Sequence, residues 1–147
     1  MVTIQEIEAD SLLALSELYA ELIDKSTDFS KLEAVYKVIK EDSRYLLLGA
    51  FQNGELLGSV MGIICYDLVG ECKPFMVIEN VVVSSRARRQ GVGQKLMAAL
   101  EITAREKDCW YIILVSGEKR KEAHIFYEAL GYREEKVEGY RKHLTSH

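Results

Sequence analysis

A chain of 147 residues is one domain's worth, and with 48% hydrophobic residues it can bury a proper core. Its net charge of −4 argues against general nucleic-acid binding, and no apolar run reaches the roughly 20 residues of a membrane span. The acidic start MVTIQEIEAD lacks the layout of a signal peptide, and the three cysteines show no C-x-x-C spacing, so reduced thiols in a cytoplasmic protein are the expectation.

In chain order, Val2 and Ile4 alternate with polar neighbours and predict a first strand over residues 2–8. Asp10 or Ser11 then caps a helix whose apolar residues are Leu12, Leu15, Leu18, Tyr19, Leu22 and Ile23. Beyond a polar break at 24–28, Ser30-Lys31-Leu32-Glu33 has the form of a capping box for a second helix bearing Leu32, Val35, Tyr36 and Ile39. Strands over 45–51 and 55–66 meet at Asn53-Gly54, a hairpin signal, and a loop over 67–74 holds the single proline. A β-branched strand spans 76–83. A helix from Val92 follows, with Leu96, Ala99, Leu100 and Thr103 at helical spacing. Trp110–Val115 reads as a short buried strand. Glu118–Leu130 reads as a helix stopped by Gly131, and 132–133 with 137–144 as a closing hairpin.

Between the 76–83 strand and the helix at Val92 stands Arg88-Arg89-Gln90-Gly91-Val92-Gly93. Glycines two apart permit a sharp turn and close approach of a ligand to main-chain N–H groups, and a helix start adds unbonded N–H groups and a positive dipole end. The neighbouring arginines suit phosphate oxygens, so this corner is expected to hold an anion. The dinucleotide fingerprint does not fit, because Leu96 stands where its third glycine belongs, and the P-loop Gly-Lys-Ser/Thr is missing.

What fits is Val81-x-Val83-x-x-x-x-Arg88-x-x-Gly91-x-Gly93, which resembles the acyl-CoA signature of the GNAT family of N-acetyltransferases. The segment Ala123-His124-Ile125-Phe126-Tyr127-Glu128-Ala129-Leu130-Gly131-Tyr132 is similar to that family's Ala-x-x-Phe-Tyr-Glu-x-Leu-Gly-Phe/Tyr. The resemblance implies one N-acetyltransferase domain over 1–147. Its fold would be the α/β (α+β) acyl-CoA N-acyltransferase fold, a mixed central sheet of six to seven strands with about four helices in the order β-α-α-β-β-β-α-β-α-β-β.

The resemblance further implies transfer of acetyl from acetyl-CoA, as co-substrate and without a metal, to a primary amine. The main chain of Val81, Val82 and Val83 would pair with pantetheine. Arg88, Arg89, Gln90, Gly91, Val92, Gly93 and Gln94 would hold the pyrophosphate, with Ser116, Arg120, Phe126 and Tyr127 completing the cofactor contacts. Arg120 stands where the family often has Asn, which implies that this contact is lost, altered or taken by Ser116. Tyr127 takes the family role of acid toward the CoA thiolate. By helical spacing alone it reads as a core aromatic.

Glu79 is the candidate base, needed because an ammonium of pKa roughly 10.4 must lose its proton. It shares strand parity with Val81 and Val83, and a carboxylate in an apolar strand is expected to be buried and raised in pKa. A salt-bridged structural carboxylate or a substrate-gripping group are its other readings. His124 reads as a surface or packing residue, and Cys65 and Cys109 as structural thiols. The acceptor would be bounded by the first two helices, the 67–74 loop and the closing hairpin near 138–140. A small-molecule amine is the first expectation. A protein amine, or a non-catalytic acyl-CoA-binding sensor domain, is the alternative, and a homodimer is compatible with all three.

Overall fold

The computed structural model describes residues 1–117 and 120–145, which fall into two compact units, Met1–Ile113 and Leu114–His147. The first contains strand β1 (Thr3–Glu6), helices α1 (Leu12–Ile23) and α2 (Phe29–Lys40), strands β2 (Tyr45–Gln52), β3 (Glu55–Cys65) and β4 (Phe75–Val83), helix α3 (Val92–Glu106) and strand β5 (Ile112–Ile113). The second contains helix α4 (Lys121–Ala129). Among the described residues no helix is long and apolar enough to cross a membrane.

The sheet runs β1-β2-β3-β4-β5, antiparallel except for the β4–β5 pair. The β2–β3 hairpin turns at Asn53 and Gly54, both at positive φ (52° and 77°), as a two-residue turn matched to strand twist requires. Helix α2 is capped by Asp28, whose carboxylate accepts from Lys31 N at 3.1 Å. Ser30, the expected cap, instead donates to Asp28 at 3.0 Å. Ser11 stands at the α1 N-cap, but its side chain makes no capping bond, and a 3₁₀ turn over Ala9–Ser11 leads into the helix.

Two apolar layers enclose the sheet. On one face Ile7, Leu12, Leu15, Leu18, Tyr36, Leu56 and Val82 form the core under α1 and α2, and the Tyr36 hydroxyl donates to Ile7 O at 2.8 Å. On the other lies α3, with Val92, Leu96, Met97, Leu100 and Ala104 buried at helical spacing. Glycines in β3 make that approach possible: a Cβ at Gly58 would stand 3.0 Å from Val92 Cγ1 and 3.3 Å from Leu96 Cδ1, and one at Gly62 would stand 2.9 Å from Leu100 Cδ2.

Three expectations need correction. The described residues hold five strands, not six to seven. Strand β5 is two residues rather than the buried run Trp110–Val115, and Trp110 and Val115 are 56% and 64% exposed. No strand forms over 132–133 or 137–144, so the expected closing hairpin is absent among the described residues. Of the last predicted helix, Glu118 and Lys119 lie outside the described residues; α4 starts at Lys121, and Gly131, at φ 101°, follows its end.

A methyl group at Gly58 would also fall 2.9 Å from the Val82 carbonyl oxygen, a main-chain atom that cannot swing aside. Gly58→Ala should therefore cost about 1–3 kcal/mol, read as a lower urea midpoint at unchanged slope. An unchanged midpoint would show that the β3–β4–α3 junction has slack.

Candidate active site

The corner that joins β4 to α3 begins at Ser84, fully buried, whose Oγ accepts from Arg86 N at 3.3 Å. Ser84 N donates to Leu57 O at 2.8 Å, and Ala87 N to Ser84 O at 2.9 Å. From α1, Glu21 accepts from Ser85 N at 3.0 Å, tying the turn to that helix. Arg86 is committed to an ion pair with Glu55, whereas Arg88, Arg89 and Gln90 are exposed.

Arg89 and Gly91 both adopt positive φ (64° and 76°), and this double reversal turns the chain into α3. Gly91 is the N-cap and has no side chain to cap the helix. The first helical bond back is from Lys95 N to Gly91 O at 3.1 Å, so the N–H groups of Val92, Gly93 and Gln94 precede the intrahelical ladder. A Cβ on Gly91 would meet only Gln94 Oε1, at 3.7 Å. Open main-chain donors, a helix start without acidic residues and two exposed arginines make this corner suited to a phosphate-bearing ligand.

Strand β5 pairs only with Met76 and Val77 of β4. Beyond Val77 the outer edge of β4 has no strand beside it among the described residues. Within that open stretch the ladder to β3 is broken: Glu79 pairs with Met61 and Val82 with Ser59. Asn80 and Val81 thus oppose the single residue Val60, and Asn80 sits at φ 55°.

This bulge corrects the parity expected for Glu79. Met61 and Ser59 point the same way, so Glu79 shares its face with Val82, on the α1 side, and Val83 points to the other. Glu79 is also exposed, so the burial expected of it is absent. Val81 and Val83 are half-buried, and Val82 belongs to the α1–α2 core.

Tyr19 of α1, a core position by its helical spacing, packs against that core. Burial pushes its phenol up to about 12. The lone Asn in a β-branched strand was the available signal for the bulge, because Asn tolerates the left-handed region.

In the second unit, Tyr127 is buried, Phe126 half-buried and Arg120 exposed. Burial raises the Tyr127 phenol, opposed by the Arg120 charge, so it holds its proton at neutral pH. Tyr127 packs edge-on against Phe126 and Tyr132, with ring centroids 5.3 and 6.3 Å away. Ser116 Oγ is buried without a hydrogen-bond partner among the described residues. The His124 ring nitrogen Nε2 lies 2.9 Å from Gly117 O, a packing role. Cys65, Cys72 and Cys109 are free, and burial raises the Cys109 thiol.

Comparison with known proteins identifies the family and the fold. The Acetyltransferase (GNAT) family model matches residues 8–132. An uncharacterized N-acetyltransferase, YhfO of Bacillus subtilis (strain 168), is 25% identical over 128 residues, 87% of this chain and 85% of the relative. A solved structure from Bacillus halodurans C-125, described as a transcriptional regulator, superposes with TM-score 0.91 at 26% identity over 98% of this chain and 100% of that one. The aminoglycoside N-acetyltransferase AAC(6')-Iy, solved in complex with CoA, gives TM-score 0.82 at 23% identity, covering 97% of this chain and 95% of the other, and shows a shared fold. The chain belongs to the GNAT acetyltransferase family, and so to the acetyl-CoA-dependent N-acetyltransferases.

The raised phenol of Tyr19 makes stability depend on alkaline pH. The folded state keeps a proton that the unfolded tyrosine loses near pH 10, so the stabilising difference is complete below that pH and is lost as pH rises through about 12. Two units correspond to about 3 kcal/mol, at 1.36 kcal/mol per unit. Urea unfolding between pH 9 and 12 should show this decline, and Tyr19→Phe should flatten it; an equal slope in the variant would contradict the assignment.

Proposed function

We propose that the corner at Arg88–Gln94 and the open edge of β4 at Val81–Val83 hold acetyl-CoA, and that the chain, as one catalytic domain, transfers the acetyl group directly to a primary amine of a small molecule. The observation that carries this reading is the loop. Positive φ at Arg89 and Gly91 and the N–H groups of Val92, Gly93 and Gln94 ahead of the helical ladder lie where a strand edge ends that has no neighbour among the described residues. An extended, amide-bearing arm can add to such an edge while its pyrophosphate meets the helix start. A small amine as acceptor is supported by the fold shared with the aminoglycoside enzyme.

In this reading the neutral amine attacks the thioester carbonyl carbon. A C–N bond forms, the C–S bond breaks, and the electron pair leaves on sulfur. Glu79, exposed on the α1 face, takes the ammonium proton directly or through water. The oxyanion takes a hydrogen bond from a main-chain N–H of the β4 bulge near Val81. Tyr127, protonated at neutral pH, gives the thiolate its proton, and the proton that nitrogen sheds as the amide forms balances the account. Ser116 and Arg120 contribute cofactor contacts, with Arg120 in the place of the family's Asn. The orphaned Ser116 hydroxyl supports that role.

The test is release of free CoA thiol from acetyl-CoA against a panel of amino sugars, aminoglycosides, polyamines and lysine peptides. Tyr127→Phe should lower kcat at least about tenfold with CoA affinity unchanged, and Glu79→Gln should lower kcat at unchanged KM for acetyl-CoA. Full turnover in either variant would remove that residue from the mechanism. Tight acetyl-CoA binding with no turnover across the panel would favour a sensor domain.

A further inference from the structure

The two faces of the β3–β4 ladder are covered to different depths. On the side of α3, Gly62, Ile64, Met76 and Ile78 are buried, and a Cβ at Gly62 would stand 2.9 Å from Leu100 Cδ2. On the side of α1 the core reaches β4 at Val82. Upstream of the bulge, the alternate residues of that face are Phe75, Val77 and Glu79, paired across the ladder with Cys65, Ile63 and Met61. Glu79 is exposed and the other five are only half-buried. An antiparallel sheet that shows one face to water ordinarily sets polar residues on it. Of these six positions only Glu79 is charged.

Strand β5 extends this surface. Ile113 pairs with Val77, and the Tyr111 ring stacks on Phe75 with centroids 5.1 Å apart and planes 18° from parallel. Tyr111 is 39% exposed, and Trp110 meets it edge-on at 4.8 Å. Alternate residues of a strand stand roughly 7 Å apart, so an apolar strip runs for about 13 Å from Glu79, over Val77, to the Phe75–Tyr111 pair. A continuous apolar surface of this kind, with one charge at its end, has the make-up of a ligand site. The carboxylate attracts a cation at one end, and the stacked rings offer an aromatic face at the other.

We propose that this strip seats the acceptor, a primary amine joined by a short hydrocarbon chain to an aromatic ring, with its ammonium at Glu79 and its ring over Val77 toward Phe75 and Tyr111. This deepens the acetyl-transfer reading above and rests on it, since Glu79 there takes the proton of the same amine. Phe75, Val77 and Tyr111 are then specificity residues that hold the body of the acceptor away from the thioester. A polyamine or amino sugar would set a second ammonium or its hydroxyls against this surface without partners, a cost that the aryl amine avoids.

The chain has one tryptophan, and its place beside Tyr111 lets fluorescence read occupancy of the strip without turnover. The full chain is titrated with 2-phenylethylamine and with 1,4-diaminobutane, exciting Trp110 alone. In parallel, kcat and KM for each amine are measured by release of CoA thiol at saturating acetyl-CoA. 2-Phenylethylamine should change the fluorescence saturably and diaminobutane should not, and kcat/KM should favour the aryl amine at least tenfold. Phe75→Leu and Val77→Thr should each raise the fluorescence midpoint and the KM for 2-phenylethylamine at least threefold, with KM for acetyl-CoA within twofold. Thr keeps the branched shape of Val and sets a hydroxyl in the strip, so it keeps the test open should Phe75→Leu fail to fold. Equal preference for the two amines, or unmoved constants in folded Val77→Thr, would overturn the proposal. So would a flat titration, and a chain that then sediments as a dimer would assign the face to a second copy. Failure of the underlying reading looks different: the unmodified chain would not bind acetyl-CoA in calorimetry, whatever the amine does to Trp110.

Discussion

Helix α3 can carry unbonded N–H groups to the end of β4 only because β3 makes room for it. Gly58 and Gly62 let Val92, Leu96 and Leu100 settle against bare backbone, and the Val82 carbonyl lies so near Gly58 that strand, helix and loop share one contact. Interiors packed to this density do not give gradually. A shift of a few tenths of an ångström at Gly58 would reach both Val82 and the first turn of α3, the two elements that flank the phosphate corner. Packing and site are therefore one structure, with Ser84 and Ala87 buried between them.

The second constraint is the interrupted edge of β4. Among the described residues a β5 of two residues leaves β4 open beyond Val77, and an open edge ordinarily invites pairing with another chain. Here the bulge at Asn80–Val81 and the exposed Glu79 make that stretch irregular and charged, which discourages strand addition by a protein while leaving main-chain groups for a narrow ligand. The second unit supplies a different quality: in Tyr127, a phenol that burial keeps protonated.

What was legible in the sequence was local. The Asn53-Gly54 turn, the glycines at 91 and 131, and the 3.6-residue period of α3 each depend on a few neighbouring residues, and each stands as read. Register is not local. Asn80 is the one hint of irregularity within 76–83, and neighbouring residues alone do not say that it and Val81 oppose one residue of β3, so alternation along the strand puts Glu79 on the wrong face and gives it a burial it does not have. Composition misled in the same way at 110–115: the run is apolar, but pairing with β4 stops after Ile113, and Trp110 and Val115 remain exposed. The 132–144 segment alternates weakly and is interrupted by Arg133-Glu134-Glu135-Lys136, a charge run that a strand cannot bury on either face; its described residues form no strand.

Binding of the cofactor at the β4–α3 corner is tested most directly by calorimetric titration of the purified chain with acetyl-CoA, beside a Gly91→Glu variant checked for folding by its melting curve. The unmodified chain should bind in the micromolar range and the folded variant should not, because a carboxylate at Gly91 would place negative charge among the N–H groups of Val92, Gly93 and Gln94 where the pyrophosphate would lie. Binding that persists in the variant would move the cofactor away from this corner. No binding by the unmodified chain would contradict the functional reading as a whole.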